Sequence, residues 1–165
     1  MAGLTPEVVK RVEELAKLCA QRGSSLGLAE SCTGGLLSSW ICAYPGASAF
    51  YRGGVVCYSA NVKSDVLLVP ETLLKAHGEV SLPVAKAMAL GAREALQVTW
   101  AVSITGVAGP SGGTQTKPVG FVCFAVVGPG FEEATQHVFP VSGGRQEIQR
   151  QAALFAFDLL LNAIR

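Results

Sequence analysis

Residues 26–35, with the sequence LGLAESCTGG, decide the fold of this chain. They predict a short apolar strand over Ser25–Ala29 that runs into a polar turn, and the spacing of the apolar residues over 36–41 predicts a helix after it. Such a turn leaves unpaired backbone N–H groups at the positive end of the helix, which favours an anion there. The simplest interpretation of the turn is a helix capped by Ser31 or Thr33.

The same turn carries side chains that can take part in chemistry. Ser31 and Thr33 contribute hydroxyls, and Gly34 and Gly35 let a ligand approach the backbone. A helix N-terminus can depress the pKa of a thiol, so Cys32 is a second candidate nucleophile. Five cysteines without a CxxC pair support neither a disulfide framework nor a metal site. The other four lie in apolar stretches, at Cys19, Cys42, Cys57 and Cys123.

The composition narrows the class of protein. The 165 residues are 50% hydrophobic and only 15% charged, which suits one compact domain over residues 1–165. The formal net charge is +1 and no run of Lys or Arg occurs, so nucleic acid and membrane surfaces are poor candidate partners. The first seven residues lack the apolar core of a signal peptide, and no apolar run is long enough to span a bilayer. We therefore expect a cytoplasmic protein.

Strand and helix patterns alternate along the chain and then end in one hairpin. Helices are predicted over residues 6–22, 36–43, 61–68, 71–77, 81–97 and 142–164, and strands over 25–29, 50–58, 99–105, 118–127 and 131–139. This order predicts an α/β fold, a three-layer α/β/α sandwich around a mixed, mostly parallel sheet. Ligands of such sheets bind beyond the carboxyl ends of the parallel strands, so the loops after Ala29, Tyr58 and Thr105 are expected at one edge.

Those loops carry a possible nucleophile and a possible base. A Ser–His–Asp triad is disfavoured, because the two histidines lie in a strand pattern and at a helix end. Ser31 and Lys63 are suited to acyl transfer, provided that burial or a cationic neighbour keeps the lysine neutral enough to accept the serine proton. Without further context, Lys63 is a solvated charge on a helix face and Tyr58 is a core aromatic residue.

Two further segments are candidate anion sites. The loop over residues 106–117 is rich in glycine but lacks the GK[ST] sequence of a P-loop, so it is either a backbone anion nest or a flexible loop. Ser142-Gly143-Gly144-Arg145 opens the last helix, and its guanidinium suits a phosphate or carboxylate. A helix cap is the alternative interpretation of this second segment.

Six motifs together give the chain a specific resemblance. They are AESCTGG at 29–35, GVVCYSANVK at 54–63, GEVS at 78–81, TGVAGP at 105–110, GGT at 112–114 and KPVG at 117–120. In this order and spacing they resemble the CinA C-terminal domain family, whose stand-alone members are nicotinamide-nucleotide amidohydrolases. The resemblance covers essentially the whole chain. It implies a five-stranded mixed sheet with one antiparallel strand, and hydrolysis of the carboxamide of nicotinamide mononucleotide (NMN) without a metal or other cofactor.

The resemblance also implies which residues form the site. Ser31, Tyr58 and Lys63 occupy the positions to which catalysis is ascribed in the family. The residues predicted to bind the oxyanion or the substrate are Thr33, Gly34, Gly35, Asn61, Thr105, Gly106, Gly109, Gly112, Lys117 and Arg145. Two departures concern the phosphate loop: Gly144 replaces an acidic residue before the arginine, and Ser111 lies in a normally glycine-rich segment.

The combined hypothesis is a serine amidohydrolase of pyridine nucleotide salvage. Lys63, directly or through Tyr58, removes the proton of Ser31, and Ser31 attacks the carboxamide carbon. Backbone N–H groups near Thr33 and Gly34 stabilise the oxyanion, and Arg145 with the loop amides over 106–113 holds the phosphate. The opposite placement, with the phosphate on the Ser31 turn, is also open.

Two other functions are consistent with the sequence. One is a protein-binding module linked to competence and DNA damage that has no turnover. The other is a Ser–Lys amidase that acts on an amide without a phosphate. We expect NMN as the small-molecule partner and a homodimer as the oligomeric state.

Overall fold

The computed structural model describes residues 4–165. Residues 1–3, on which part of the signal-peptide argument depends, lie outside the described residues. Within the described part, the helices are α1 (Pro6–Arg22), α2 (Leu36–Cys42), α3 (Ala60–Leu67), α4 (Glu71–His77), α5 (Leu82–Ala95) and α6 (Gly144–Ile164). The strands are β1 (Leu26–Glu30), β2 (Tyr51–Val56), β3 (Trp100–Gly106), β4 (Phe121–Gly128) and β5 (Phe131–Val138), and a 3₁₀ turn covers Ala47–Ala49.

Helix α1 follows local rules that are visible in the sequence. Thr5 caps it by accepting a hydrogen bond from the Val8 N–H at 3.4 Å, and Pro6 occupies the first helical position. Gly23 ends it in the left-handed conformation, with φ of 59°. The predicted bounds of this helix are confirmed.

The five strands form one mixed sheet in the order β2-β1-β3-β4-β5. Strand β1 is parallel to both of its neighbours, whereas β4 is antiparallel to β3 and to β5. Four strands therefore run in one direction and only β4 runs against them. This confirms the expected mixed sheet with one antiparallel strand.

Helices cover both faces of the sheet and make two separate cores. Helices α1, α2 and α6 pack on one face, against large strand residues such as Leu28, Ile104 and Phe124. Helix α5 packs on the other face, where the strands present small residues such as Ala101 and Ala125. Because each strand sends alternate side chains to the two faces, the three-layer sandwich follows from the strand patterns.

The register of the sheet places the ends of three strands side by side. Glu30, the last residue of β1, is opposite Val56 on β2 and Ile104 on β3. The pairing continues one step further, because the Ser31 N–H donates to the Ile104 carbonyl at 2.9 Å and the Cys57 N–H donates to the Glu30 carbonyl at 2.8 Å. The loops after these strands therefore lie at one edge, as the sequence predicts.

Several element bounds differ from the sequence-based prediction. The first hairpin strand begins at Phe121 rather than Pro118, because residues 118–121 form a turn in which the Phe121 N–H donates to the Pro118 carbonyl. Helix α5 stops at Ala95 rather than at Gln97, whose φ is 49°. Over residues 4–165, no helix has both the length and the apolar character that a membrane span requires.

Candidate active site

The turn after β1 has an unexpected helix cap. The Glu30 carboxylate is fully buried and accepts hydrogen bonds from the Leu37 N–H at 3.1 Å, the Ser38 N–H at 2.8 Å and the Ser38 hydroxyl at 2.6 Å. The predicted cap by Ser31 or Thr33 is therefore wrong, since a carboxylate already satisfies the N-terminal donors of α2. The anion that the sequence predicted at this helix end is a side chain of the protein itself.

The capped turn leaves the Ser31 side chain free to face a cavity. Ser31 has 7% of its surface exposed and lines that cavity. Its backbone carbonyl accepts from the Gly34 N–H at 3.0 Å, and Gln149 on α6 donates to the Cys32 carbonyl at 2.8 Å. Together with the bond from the Ser31 N–H to the Ile104 carbonyl, these bonds fix the backbone on both sides of the Ser31 hydroxyl.

Lys63 is a lysine whose side chain is almost completely buried. It lies in the first half of α3, which begins after the N-cap residue Ser59, and only 1% of its surface is exposed. Its Nζ lies 3.3 Å from the Ser31 Oγ. The interpretation of Lys63 as a solvated charge is wrong, because α3 turns this side chain inward beneath the strand ends.

The second partner of Lys63 is Glu79, to which the sequence analysis gave no role. The Lys63 Nζ donates to the Glu79 Oε2 at 2.9 Å, and the Glu79 side chain is 46% exposed. Burial of Lys63 meets one of the two alternative conditions for a Ser–Lys pair, whereas the other, a cationic neighbour, is not met by Glu79. The only signal in the sequence was the GEVS motif at 78–81, because Glu79 is remote from Lys63 along the chain.

Tyr58 and Arg145 form the opposite wall of the cavity. Arg145 donates to the Tyr58 hydroxyl at 2.7 Å and to the Gly109 carbonyl at 2.7 Å. Tyr58 is 60% exposed, so the interpretation of this side chain as a core aromatic residue is wrong. No side-chain cap precedes Arg145, since the N-cap of α6 is Gly143.

Eight of the predicted site residues meet in one cavity of about 280 Å³. They are Ser31, Tyr58, Lys63, Thr105, Gly106, Gly109, Gly112 and Arg145. The Thr105 hydroxyl donates to the Glu79 carbonyl at 2.9 Å and so links the end of β3 to the segment before α5. The cavity is thus formed by the loops after three parallel strands and by the start of α6.

The remaining five predicted residues do not line this cavity. Thr33 is buried, and its Oγ1 lacks a hydrogen-bond partner within the described chain. The Gly34 N–H is already bonded to Ser31, which removes it as an oxyanion donor, and Gly35 is the N-cap of α2. Asn61 lines a neighbouring groove that shares Glu79 with the cavity, and Lys117 donates to the His77 carbonyl at 2.8 Å.

The alternative nucleophile Cys32 is in an unfavourable environment. Burial raises the pKa of its thiol to about 12, although the nearby Arg145 and Lys63 oppose the shift. The expected depression of this pKa by the helix N-terminus is therefore wrong, because burial raises the pKa and the nearby Glu30 carboxylate acts in the same direction. A thiol with this pKa is protonated at neutral pH.

In the described part of the chain, the cavity has neither a histidine nor a group of metal ligands in its wall. His137 packs against Phe139 and Phe155, and His77 ends α4. Within residues 4–165, no group of three or more His, Cys, Asp or Glu side chains is arranged to hold a metal ion. The reactive groups of the cavity wall are hydroxyls, a thiol, an amine, a carboxylate, a phenol and a guanidinium.

The fold and the cavity define a three-layer α/β protein with a buried Ser–Lys pair at the carboxyl edge of its parallel strands. A family model, the CinA C-terminal domain, matches residues 9–164. The chain belongs to the CinA C-terminal domain family.

Curated relatives support this assignment. The chain is 50% identical over 151 residues to a CinA-like protein of Anaeromyxobacter sp. (strain Fw109-5). The aligned region covers 92% of this chain and 36% of that protein. It is 45% identical over 143 residues to a CinA-like protein of Prochlorococcus marinus, covering 87% of this chain and 34% of that protein. The chain thus spans about a third of the length of these relatives.

Solved structures have the same fold over nearly their full length. A competence or damage-inducible protein from Enterobacter asburiae has a TM-score of 0.90 and 34% identity, covering 96% of this chain and 98% of that chain. A CinA superfamily protein from Enterobacter cloacae has a TM-score of 0.91 and 32% identity, covering 100% and 99%. The α/β sandwich is therefore a property of the family.

Proposed function

We propose that this chain is an amidohydrolase that converts NMN to nicotinate mononucleotide and ammonia in pyridine nucleotide salvage. The observation that carries the proposal is the 3.3 Å contact between the Lys63 Nζ and the Ser31 Oγ at the wall of the cavity. The Ser–Lys arrangement supports acyl transfer, and the motifs shared with nicotinamide-nucleotide amidohydrolases support the choice of amide.

The first step is a proton transfer within the Ser–Lys contact. A neutral Lys63 amine accepts the Ser31 proton. When Lys63 is protonated, its ammonium instead donates to the Ser31 Oγ across the same contact. The Ser31 Oγ bonds to the carboxamide carbon, and the Lys63 ammonium returns a proton to the departing nitrogen, which leaves as ammonia. Water then hydrolyses the ester, with Lys63 again as the base.

The oxyanion needs a donor other than the Gly34 amide. We assign this role to the backbone N–H of Cys32, because Cys32 directly follows the nucleophile and lines the cavity. The bond from Gln149 to the Cys32 carbonyl orients the neighbouring peptide. One preorganised donor of this type contributes about 3 to 4 kcal/mol of transition-state stabilisation.

The phosphate of NMN is assigned to Arg145 and the glycine-rich loop after β3. Arg145 lies at the start of α6, and Gly109 and Gly112 bring the loop backbone to the cavity. The opposite placement on the Ser31 turn is disfavoured, because the Glu30 carboxylate already binds the N–H groups of α2.

Tyr58 is assigned to substrate binding rather than to the proton transfer. Lys63 contacts Ser31 directly, whereas the Tyr58 hydroxyl accepts from Arg145. The exposed Tyr58 ring offers an aromatic surface at the mouth of the cavity, where a pyridinium ring gains from a π face.

The test is NMN turnover by the purified chain, followed as ammonia release. Ser31→Ala should abolish release while NMN still binds, because only the attacking oxygen is lost. Cys32→Ser is the matched control and should keep most of the activity. Loss of activity in the cysteine variant, together with full activity in Ser31→Ala, would contradict the serine mechanism.

A substrate panel separates NMN hydrolysis from the other candidate functions. A Ser–Lys amidase without an anion site would hydrolyse nicotinamide and nicotinamide riboside as fast as NMN, whereas binding of phosphate to Arg145 predicts a strong preference for NMN. A binding module would release no ammonia from any of the three. The proposal also includes a cytoplasmic location, which cell fractionation checks, and a homodimer, which size measurements in solution check.

A further inference from the structure

Lys63 is held between two partners of different chemistry. Its Nζ lies 3.3 Å from the Ser31 Oγ and 2.9 Å from the Glu79 Oε2. Lys63 is shielded from water, whereas the Glu79 carboxylate is partly hydrated. A buried ammonium needs such an anionic partner, since desolvation otherwise disfavours its charge.

The fold determines the position of Glu79. The Glu79 carbonyl accepts a hydrogen bond from the Thr105 hydroxyl at the end of β3. On the other side, the Ser81 hydroxyl donates to the Gly78 carbonyl at 3.2 Å and caps α5. The backbone on both sides of Glu79 is therefore anchored, which directs its carboxylate to Lys63.

We propose that Glu79 is a positioning residue that stabilises the ammonium formed on Lys63 when Ser31 is activated. Ser31, Lys63 and Glu79 then form one chain of hydrogen bonds. Glu79 has the role that the carboxylate has in a Ser–His–Asp triad, which is to orient the base and to stabilise its charged form. The proposal depends on Ser31 being the nucleophile of the proposed function, but not on NMN being the substrate.

The proton balance of this step is simple. The resting pair that reacts is a neutral Lys63 amine beside the Glu79 carboxylate. As the Ser31 Oγ bonds to an electrophile, its proton moves to the Lys63 nitrogen, and an ammonium–carboxylate pair results. Glu79 gains no proton. Its negative charge therefore favours the activated state, and for the same reason it favours the protonated resting Lys63 at low pH.

The other ionisable groups near Lys63 are neutral thiols or are bonded to other partners. Burial raises the pKa of Cys32 to about 12 and that of Cys57 to about 11, so both thiols stay neutral. The Glu30 carboxylate is bonded to N–H groups of α2. Arg145 donates to the Gly109 carbonyl. Its guanidinium is bonded to the hydroxyl of Tyr58.

Helix α5, which packs against α3, adds no charge next to Lys63. It packs into the core on its own face of the sheet, which also contains Leu67 of α3, through apolar residues such as Ala85 and Met88. Its Lys86 pairs with Glu132 on β5 at 2.6 Å. Its remaining charged residues, Arg93 and Glu94, lie near the end of the helix that is remote from Glu79. Glu79 is therefore the carboxylate whose loss should change the pH dependence.

The test compares Glu79→Gln with the wild-type chain in the rate at which a fluorophosphonate labels Ser31, measured from pH 5 to pH 10. In this reaction the Ser31 Oγ bonds to phosphorus and fluoride leaves. Glutamine keeps the size of the side chain but removes its charge. The variant should lose about tenfold at alkaline pH, and its acidic limb should move down by roughly one pH unit. The two profiles then converge at acidic pH.

Glu71→Gln is the matched control. Glu71 also pairs with a lysine at 2.9 Å, its partner Lys75, but this pair is on the surface of α4. The control should leave the profile unchanged. A Glu79→Gln profile parallel to that of the wild type at every pH, or identical to it, would overturn the proposal, because a purely structural role lowers the rate by a constant factor.

The labelling assay also separates this inference from the choice of substrate. If the wild-type chain releases no ammonia from NMN but shows the predicted Glu79→Gln profile, the role of Glu79 stands and the proposed substrate fails. If the wild-type chain is not labelled at Ser31 at any pH, Ser31 is not an activated nucleophile, and the role of Glu79 fails with it.

Discussion

At the scale of single residues, Lys63 places a charge where folding alone would favour an apolar side chain. Its amine is buried, and its two polar partners lie on different loops. A buried charge of this kind seldom stabilises a fold, because desolvation opposes the attraction between the ions. Its position is therefore explained better by chemistry than by stability.

Lys63→Met should separate activity from stability. Methionine fills a similar volume without a charge, and the partly exposed Glu79 stays hydrated when its partner is lost. We expect the free energy of unfolding to change by no more than about 1 kcal/mol, while ammonia release from NMN falls to the background. Urea unfolding and the ammonia assay measure the two effects. Retained turnover would show that the base lies elsewhere.

The cysteines give a second prediction at this scale. Burial raises the pKa of Cys19, Cys57 and Cys123 to about 11, and that of Cys32 to about 12. At pH 8 all four are protonated and shielded, whereas Cys42 is exposed. Mass spectrometry after brief treatment of the native chain with iodoacetamide should find one adduct, at Cys42. Rapid labelling of Cys32 would contradict the structure of the Ser31 turn.

At the scale of elements, the position of α3 depends on close contact with α5. A Cβ added at Gly91 of α5 would overlap the backbone carbonyl of Leu67 at the end of α3. The absence of a side chain at Gly91 therefore lets the helix that carries Lys63 approach the core. The distance between Lys63 and Ser31 thus depends on a contact between helices.

Gly91→Ala should push α3 away from α5. We expect a destabilisation of about 1 to 3 kcal/mol from overpacking, despite the better helix propensity of alanine. Activity should fall by more than the loss of folded protein explains, because Lys63 moves with α3. Thermal unfolding and turnover measure both, with the exposed Glu94→Ala on α5 as the control. Wild-type activity in Gly91→Ala would contradict the argument.

The helix ends show which local features the sequence predicts and which it does not. Thr5, Pro6 and Gly23 predict the bounds of α1, because caps and helix breakers act locally. The cap of α2 was not predictable in the same way. Glu30 is the last residue of β1, and its carboxylate reaches α2 because the turn after the strand brings the start of α2 back towards it. Local capping rules therefore selected the wrong residue.

At the scale of the whole molecule, one sheet separates two cores. Leu15 on α1 belongs to the core of one face, and Met88 on α5 belongs to that of the other. Both cores share the strands β1, β3 and β4, so neither is complete without the sheet. The two faces are therefore expected to unfold together.

Leu15→Ala and Met88→Ala test this cooperativity. Each side chain is fully buried, so each variant should lose about 2 to 5 kcal/mol. Both should lower the midpoint of the same single transition, followed by circular dichroism and by tryptophan fluorescence. Two separate transitions in either variant would show that the faces unfold independently.

Contacts between distant parts of the chain determine how much of the site the sequence predicts. The strand pattern places the loops after Ala29, Tyr58 and Thr105 at one edge, and the structure brings them together. Placement of Glu79 beside Lys63 required the packing of α3 on α5 and of α5 on β3, which no local pattern contains. Nor does a local pattern show that Asn61 faces a neighbouring groove or that Lys117 bonds to the His77 carbonyl.

Rapid acid quenching of the chain with NMN shows whether Ser31 attacks the carboxamide. Mass spectrometry of the peptide that carries Ser31 should find the nicotinate mononucleotide acyl group on its hydroxyl, and Ser31→Ala should give neither this adduct nor ammonia. Undiminished ammonia release by Ser31→Ala, with no acyl group on the wild-type peptide, would contradict the account.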